Sequence, residues 1–541
     1  TYLAGTTTPV TTYTDSLGTV PASNPIVLDS QGKTTDEIWV TQGSTYKFIL
    51  KSATDVQLGV YDNISGINDF TTGAASSSNI NFLQAGTGAV TRTVQSKLRD
   101  VVSVKDFGAV GDGITDDAAV IQTAIDSGKP VFVPAGTYYL GTPLLVQSGN
   151  VIFGENGRGA SYAFETTGSY FKPATCAIQT KNYNSQYSNF TLRNIGIIGG
   201  TVQVDLGLFH EVDIVDCWFS NASVGGLVIV RGEKQRLERL RFDNNGTGTA
   251  IFGMSLGRWQ DSLYSGYSDA FFAPDGPWFD RATIKDVHCQ SGTGNSTFSY
   301  GIKSTNLNGT TITNFVVHGI QDAREQYVIR IFSRFRQSQI IGCAPDAFGN
   351  PSNPAPAIFE MGEITNGTFI NVSPGFSGTN NAIKQFSING GCFWGTFIGC
   401  RADGDNTTKY GFWFPEFSGQ VGTMINCDGA YYHANAYFQI RNQISQVSCK
   451  FDQANNGRGC DQDQTNTSKR VTMMADSNGA ATASSTWGVL FASGGGGNGL
   501  DGISVGLDQT YIYKNLSIGN NTNGRISFND VYNTKREIVV N

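Results

Sequence analysis

Residues 395–430 read GTFIGCRADGDNTTKYGFWFPEFSGQVGTMINCDGA, a stretch that opens on GTFIGCRAD (395–403) and closes on GTMINCDGA (422–430). It therefore holds one full period of a repeat. The pattern recurs upstream in TLRNIGIIG (191–199), DIVDCWFSN (213–221), RLERLRFDN (236–244), TIKDVHCQS (283–291), TITNFVVHG (311–319), QIIGCAPDA (339–347) and GTFINVSPG (367–375), and downstream in SQVSCKFDQ (445–453). Asn194, Asp216, Arg239, Asp286, Asn314, Gly342, Asn371, Gly399, Asn426 and Ser448 align as anchors, and the position after each is apolar in every copy. Anchors recur every 22 to 29 residues, apart from one step of 47 between Arg239 and Asp286. Alternating apolar positions in a short stretch signal a half-buried strand. Recurrence at this period means that each strand buries its face by stacking on the next copy.

A second stack precedes the first: YGIKS (300–304), YVIRI (327–331), AIFEM (357–361), AIKQF (382–386), GFWFP (411–415) and AYFQI (436–440). Ile302, Ile329, Ile358, Ile383, Phe412 and Phe438 are expected to form its interior ladder. Two or more strands per turn describe a parallel β-helix. Leucine-rich repeats share the period but need an L-x-x-L-x-L pattern that is absent. With ~4.8 Å between stacked strands, ten or eleven coils would make a shaft roughly 50 Å long.

The chain has 541 residues, 66 of them Gly, with 15% charged and 11% aromatic residues, which favours short strands and tight turns over long helices. A net charge of −7 argues against nucleic acid or an anionic membrane as main partner. No apolar run approaches the ~18–20 residues of a membrane span, and residues 1–20 lack the basic start and apolar core of a signal peptide. The nine cysteines include no CxxC pair, and the four histidines are scattered, so no zinc site and no cofactor are expected. Five cysteines (Cys217, Cys343, Cys400, Cys427, Cys449) fall in one inward column. In-register stacking holds neighbouring Cβ atoms at ~4.8 Å against the ~3.8 Å a disulfide prefers, so they are read as reduced, buried thiols.

Residues 102–140, VSVKDFGAVGDGITDDAAVIQTAIDSGKPVFVPAGTYYL, hold a DFG triplet and three aspartates. No kinase catalytic loop accompanies the triplet, and the aspartates read as turn and cap residues. TDDAAVIQTAID is expected to be a short helix starting at Thr115, with Ala118, Ile121 and Ile125 buried over the open end of the solenoid. The strands of KPVFVPAGTYYL follow it.

VQSKLRDVVSVKDFGAVGDGITDDAAVIQTAI followed by VFVPAGTYYL resembles the opening segment of bacteriophage tailspikes with a pectate-lyase-like right-handed β-helix. TTYTDSLGTVPASNPIVLDSQGKTTDEIWVTQGSTYKFILK (11–51) resembles the small β-domain by which tail fibres and tailspikes attach to the particle, and INFLQAGTGAVTRTVQSKLRD (80–100) is similar to the neck that follows it. The resemblance implies a virion-borne homotrimer, attached to the phage tail or baseplate, that binds and often cleaves a bacterial surface polysaccharide (capsule or O-antigen). The expected plan is all-β: a particle-anchor β-domain over 1–70, a linker and neck over 71–101, the β-helix over 102–455 and a β-sandwich-like domain over 456–541.

Glycoside hydrolysis wants two carboxyls ~5–5.5 Å apart for retention or ~6.5–9.5 Å for inversion. The coil AIFEMGEI carries Glu360 and Glu363, and the coil before it carries Arg330, Arg334 and Arg336, with Arg334 and Glu363 in one column. Glu360 and Glu363 are the first acid/base candidates. Asp346 and Asp403, four residues past their anchors and two coils apart, are the second. The 47-residue step contains Trp259, Asp261, Tyr264, Tyr267, Asp269, Asp275, Trp278 and Asp280. It reads either as an irregular extra coil or as a long loop, and Trp259, Asp261, Tyr264 and Trp278 would supply a sugar-binding wall with Arg330 and Arg334, or the segment would instead be an aromatic plug packing on a neighbouring subunit. Hydrolysis is the first reading. β-Elimination, with Arg330 or Arg334 neutralising an acidic sugar, is the second, and a non-catalytic receptor-binding spike is the third.

Overall fold

The structure is a computed structural model that describes residues 1–41, 43–65, 76–157, 168–244, 251–268, 270–272, 276–291, 299–318, 327–346, 355–373, 382–403, 410–414, 421–430, 436–440 and 443–451, with further strands at 461–462, 472–475, 490–491, 525–529 and 535–539. The chain divides into two compact units, Thr1–Val102 and Ser103–Asn541. In the first, Tyr2–Leu3, Thr45–Lys51 and Gln57–Ser65 form an antiparallel sheet around the buried Tyr46. The short helix Val94–Leu98 is capped by Thr93, whose hydroxyl accepts from the Ser96 amide.

The second unit is a parallel β-helix. Val131, Ile152, Leu192, Ile214, Leu237, Ile284, Ile312, Ile340, Phe369, Phe397, Met424, Gln446 and Met473 are successive partners in one parallel ladder. From Val131 to Met424 every rung is buried. Leu237 pairs directly with Ile284, so the 47-residue step is one coil carrying an insertion, not two coils.

The anchors have a conformational meaning. Asn194, Asp216, Arg239, Asp286, Asn314, Gly342, Asn371, Gly399 and Asn426 all lie at φ between 49° and 63°. Each turns a corner with a single left-handed residue, so positions two before and one after it both face inward although they are an odd number apart. Five residues earlier a second left-handed corner runs through Asn189, Glu211, Lys234, Arg281, Gly309, Gln337, Asn366 and Trp394. Gly and Asn tolerate this region best, and other side chains enter it at a cost.

The second ladder departs from the expected alignment. Its rungs are Leu144, Ile178, Val204, Leu227, Met254, Ile302, Ile329, Phe359, Phe386, Phe412 and Phe438. Phe359 and Phe386 thus replace the expected Ile358 and Ile383. Ala357, Ile358 and Phe359 are all buried, which erases the period-2 signal that would have fixed the register. Phe359, Phe386 and Phe412 stack in sequence at 5.3 and 4.6 Å between ring centroids.

The N-terminal helix is shorter than expected, spanning Ala118–Asp126 with Asp117 at its cap position, while Thr115 belongs to the strand Asp112–Asp116. The aspartate side chains explain the difference. Asp112 accepts from the amides of Ile114 and Thr115 and pins that turn, whereas Asp117 accepts from the amides of Val110 and Gly111. Ala118, Ile121, Ala124 and Ile125 are buried beneath the helix. Parallel pairing also continues beyond residue 455, through Asp461–Gln462, Thr472–Ala475 and Leu490–Phe491. Of the remaining C-terminal residues the structure describes one antiparallel pair, Arg525–Asn529 with Lys535–Val539, and the expected sandwich otherwise lies outside the described residues. Cys176, Cys217, Cys289, Cys343, Cys392, Cys400 and Cys427 are free, buried thiols.

Candidate functional site

Two regions of the solenoid gather the chemistry-bearing residues. The first is the insertion between the strands Phe252–Leu256 and Phe279–Asp280. Tyr267 and Phe272 from this insertion pack on Val202, Leu208, Val228, Val230 and Phe252, so residues 202–209 of the strand Val202–Val215 and 225–230 of the strand Gly225–Glu233 are buried on both faces. Tyr264 stacks on Tyr183 at 4.7 Å and 4° between planes, and the Tyr267 hydroxyl donates to the Tyr183 carbonyl at 2.6 Å. Trp259 is half-buried against the same cluster. Trp259 and Tyr264, expected to line an open wall, are thus engaged within the chain. Asp269 and Asp275 lie outside the described residues.

Beneath the insertion sits Asp205, fully buried. Its Oδ2 accepts from the Tyr183 hydroxyl at 2.9 Å, the Ser262 hydroxyl at 3.0 Å and the Leu263 amide at 2.7 Å, while its Oδ1 has no partner among the described residues. Burial pushes this carboxyl up to about 6, against the pull of its three donors.

The second region is a corner shared by the strands Tyr300–Asn308, Tyr327–Arg336 and Ala355–Thr365. Each shifts register at the same place: between Ser304 and Asn306, Ile331 and Arg334, Met361 and Glu363. On one side of the bend Ser255, Lys303, Arg330, Glu360 and Ser387 form an outward column. On the other, Asn306, Arg334, Glu363 and Gly391 form a second. Gly362 permits the bend, since a Cβ there would meet the Ser333 carbonyl at 2.3 Å.

Charges alternate along the corner. Arg330 Nε lies 2.7 Å from Glu360 Oε1, and its guanidinium sits 4.4 and 4.5 Å from the ring centroids of Tyr327 and Phe332. Burial acts against the Arg330 charge, but Glu360, Tyr327 and Tyr300 together outweigh it and hold the group above the ordinary arginine range. Glu363 accepts from the Thr365 hydroxyl at 3.1 Å and lies 3.4 Å from Arg336 Nη2. Arg334 and Arg336 approach the Trp278 ring at 6.0 and 5.7 Å. From the insertion, Asp261 reaches over to Lys303 Nζ at 2.6 Å and accepts from Ser255 Oγ and Arg258 Nε. Burial pushes the Lys303 ammonium below the ordinary lysine range, partly offset by Asp261. Burial raises Asp261 in turn, yet Lys303, Ser255 and Arg258 together hold it below the usual carboxylate range.

The structure thus brings Glu360, Glu363, Arg330, Arg334, Trp278 and Asp261 to neighbouring coils, and leaves Trp259 and Tyr264 in the packed insertion. Asp346 follows Asp243, Gln290 and His318 in one backbone column, and Asp403 pairs with Ala430; the side chains of Asp346 and Asp403 lie outside the described residues. Sequence reading missed Lys303, Arg258, Tyr300, Phe332 and Asp205. Lys303 was within reach, because YGIKS, YVIRI and AIFEM place Lys303, Arg330 and Glu360 in the same fourth position. Asp205 had no local signal, since a segment more than 50 residues away buries it. Among the described residues no group of three or more His, Cys, Asp or Glu could hold a metal ion, and no helix is long and apolar enough to cross a membrane.

Residues 101–321 match the family described as rhamnogalacturonase A/epimerase, pectate lyase-like. The chain is 33% identical over 149 residues to the pre-neck appendage protein of Bacillus phage phi29, covering 23% of this chain and 17% of the relative. It is 30% identical over 139 residues to the tail spike protein of Shigella phage Sf6, covering 24% and 21%. It is 31% identical over 158 residues to mannuronan C5-epimerase AlgE6 of Azotobacter vinelandii, covering 26% and 17%. The chain thus matches about a fifth of the length of these relatives. Among solved structures, the tailspike of E. coli bacteriophage HK620 in complex with a pentasaccharide aligns with a TM-score of 0.46 at 11% identity, covering 73% of this chain and 69% of that one. The N-terminal fragment of bacteriophage phi29 gene product 12 aligns with a TM-score of 0.44 at 13% identity, covering 69% and 70%.

Proposed function

We propose that the chain is a phage tail spike that binds and processes a bacterial surface polysaccharide along the corner at Lys303, Arg330 and Glu360. The observation that carries this reading is the corner itself: carboxylates, guanidinium groups and aromatic rings facing outward on three adjacent coils of a polysaccharide-type solenoid. The relatives named tail spike and appendage proteins support a place on the virion. The first unit would attach the spike to the tail, the C-terminal residues would lock or bind, and the spike would act as a homotrimer.

The first reaction reading is glycosidic hydrolysis by Glu360 and Glu363. One carboxyl protonates the departing glycosidic oxygen while the other, as carboxylate, draws a proton from water attacking the anomeric carbon. Three residues of chain span at most about 10 Å, a reach that accommodates the wider, inverting separation. β-Elimination is favoured by a different observation, the buried Lys303 with its depressed ammonium beside Arg330. There the amine would take the proton next to an acidic sugar's carboxylate and the guanidinium would neutralise the developing charge; the glycosidic C–O bond at the neighbouring carbon would then break as the carbon–carbon double bond forms, its oxygen leaving with a proton from water.

The test is a mass spectrum of what the purified protein releases from polysaccharides of candidate host strains. Fragments heavier by one water per cut support hydrolysis, and unsaturated fragments without that water support elimination. A polysaccharide that binds and stays intact makes the protein an adhesin and overturns both catalytic readings.

A further inference from the structure

Trp394 is an exposed tryptophan in a left-handed backbone conformation, with 64% of its surface accessible and φ at 55°. It sits in the strand Ala382–Ile398, where the ladder skips it: Phe393 pairs with Val421 and Gly395 with Gly422. A bulge of this kind re-aims a side chain away from the sheet. Gly395 after it has no room for a side chain, since a Cβ there would meet Cys392 Sγ at 2.4 Å. The indole makes no hydrogen bond or ring contact with the described residues. Positions one and two coils earlier in this left-handed column hold the exposed Asn366 and Gln337.

The position adjoins the corner site. Gly391, three residues before Trp394, is the partner of Glu363, and Phe393 is the partner of Thr365, which in turn pairs with Arg336. Three extended residues span about 10 Å, so the indole borders the strip that carries Arg334, Arg336 and Glu363. An aromatic plane at the edge of a polar, cationic strip suits a ligand that offers a flat apolar C–H face and polar groups on its rim. A pyranose ring has that surface, and stacking on it needs the ring face open and held in place.

We propose that Trp394 is a sugar-stacking platform that extends the corner site, so that the ligand is a chain of pyranose units crossing from Glu363 past Phe393. This rests on the polysaccharide reading above and adds a subsite to it. The probe is the surface polysaccharide of whichever candidate host strain the unaltered full chain retains. Trp394→Asn should weaken binding about tenfold, the range of a truncated aromatic anchor, while its melting temperature stays equal or rises because Asn suits the left-handed corner. Trp394→Phe, which keeps a ring face, should bind within about threefold of the unaltered chain. Unchanged affinity of Trp394→Asn overturns the platform. So does a lowered oligomeric mass or melting temperature of that variant, which would make the indole a packing contact. If the unaltered chain retains no polysaccharide at all, the functional reading falls and this inference with it.

Discussion

The insertion after Leu256 and the corner at Arg330–Glu363 are built from the same residue types, tyrosine, tryptophan, arginine and aspartate or glutamate, and they put them to opposite use. In the insertion the Tyr264 and Tyr267 rings face one another and the shaft, and the carboxylate beneath them is sealed from solvent with one oxygen lacking a partner among the described residues. At the corner the rings lie under guanidinium groups and the carboxylates remain partly exposed, Glu363 by 30% of its side chain. Composition does not separate a plug from a binding face. What separates them is whether the sheet beneath offers apolar or charged partners. Val228 and Val230 lie under the insertion, whereas Lys303, Arg330 and Glu360 line the corner.

The largest expected effect tests the corner. Glu360→Gln should slow fragment release about 10²–10⁴-fold, the usual weight of a positioned acid or base, with polysaccharide retention on the variant kept; release at the original rate would move catalysis elsewhere. The insertion should answer in stability instead. Tyr267→Ala removes a buried ring and should destabilise the shaft by about 3–5 kcal/mol, read by chemical denaturation, and a change well under that would mean the insertion rests loosely.

Asp205 gives the comparison a pH dependence. Its folded value, raised from 3.8 to about 6, favours the neutral carboxyl in the folded chain. Its stabilising contribution is therefore full below the unfolded value and is lost as pH rises through about 6. The rise from 3.8 to about 6 corresponds to roughly 3 kcal/mol. Asp205→Asn should track the unaltered chain near pH 4 and exceed it above pH 7, and parallel stability curves would show that the insertion does not seal this site. The smallest effect returns to the corner: Arg330→Lys keeps the charge but loses the planar contact with Tyr327 and Phe332, costing about 1 kcal/mol of polysaccharide affinity. Equal affinity would show that the rings only support the coil.

The sequence alone carried the solenoid, its first interior ladder and the anchor column that the structure shows to be one of its left-handed corners. Those features repeat at short, regular spacing, so each rung reports the same burial and errors in one copy are corrected by the next. Asn and Gly recur at the anchors because a left-handed corner tolerates them, and that preference is local to one residue. Glu360, Arg330 and the shared column of Arg334 and Glu363 were legible for the same reason. The tertiary structure decided the rest. It set the second ladder on Phe359 and Phe386, where neighbours apolar on both faces leave period and register undetermined. It folded Tyr264 and Tyr267 onto the shaft rather than into solvent, and it buried Asp205 under residues more than 50 positions away. Periodic burial is written residue by residue along the chain, whereas the partner of a non-repeating segment depends on which surfaces the repeats leave uncovered.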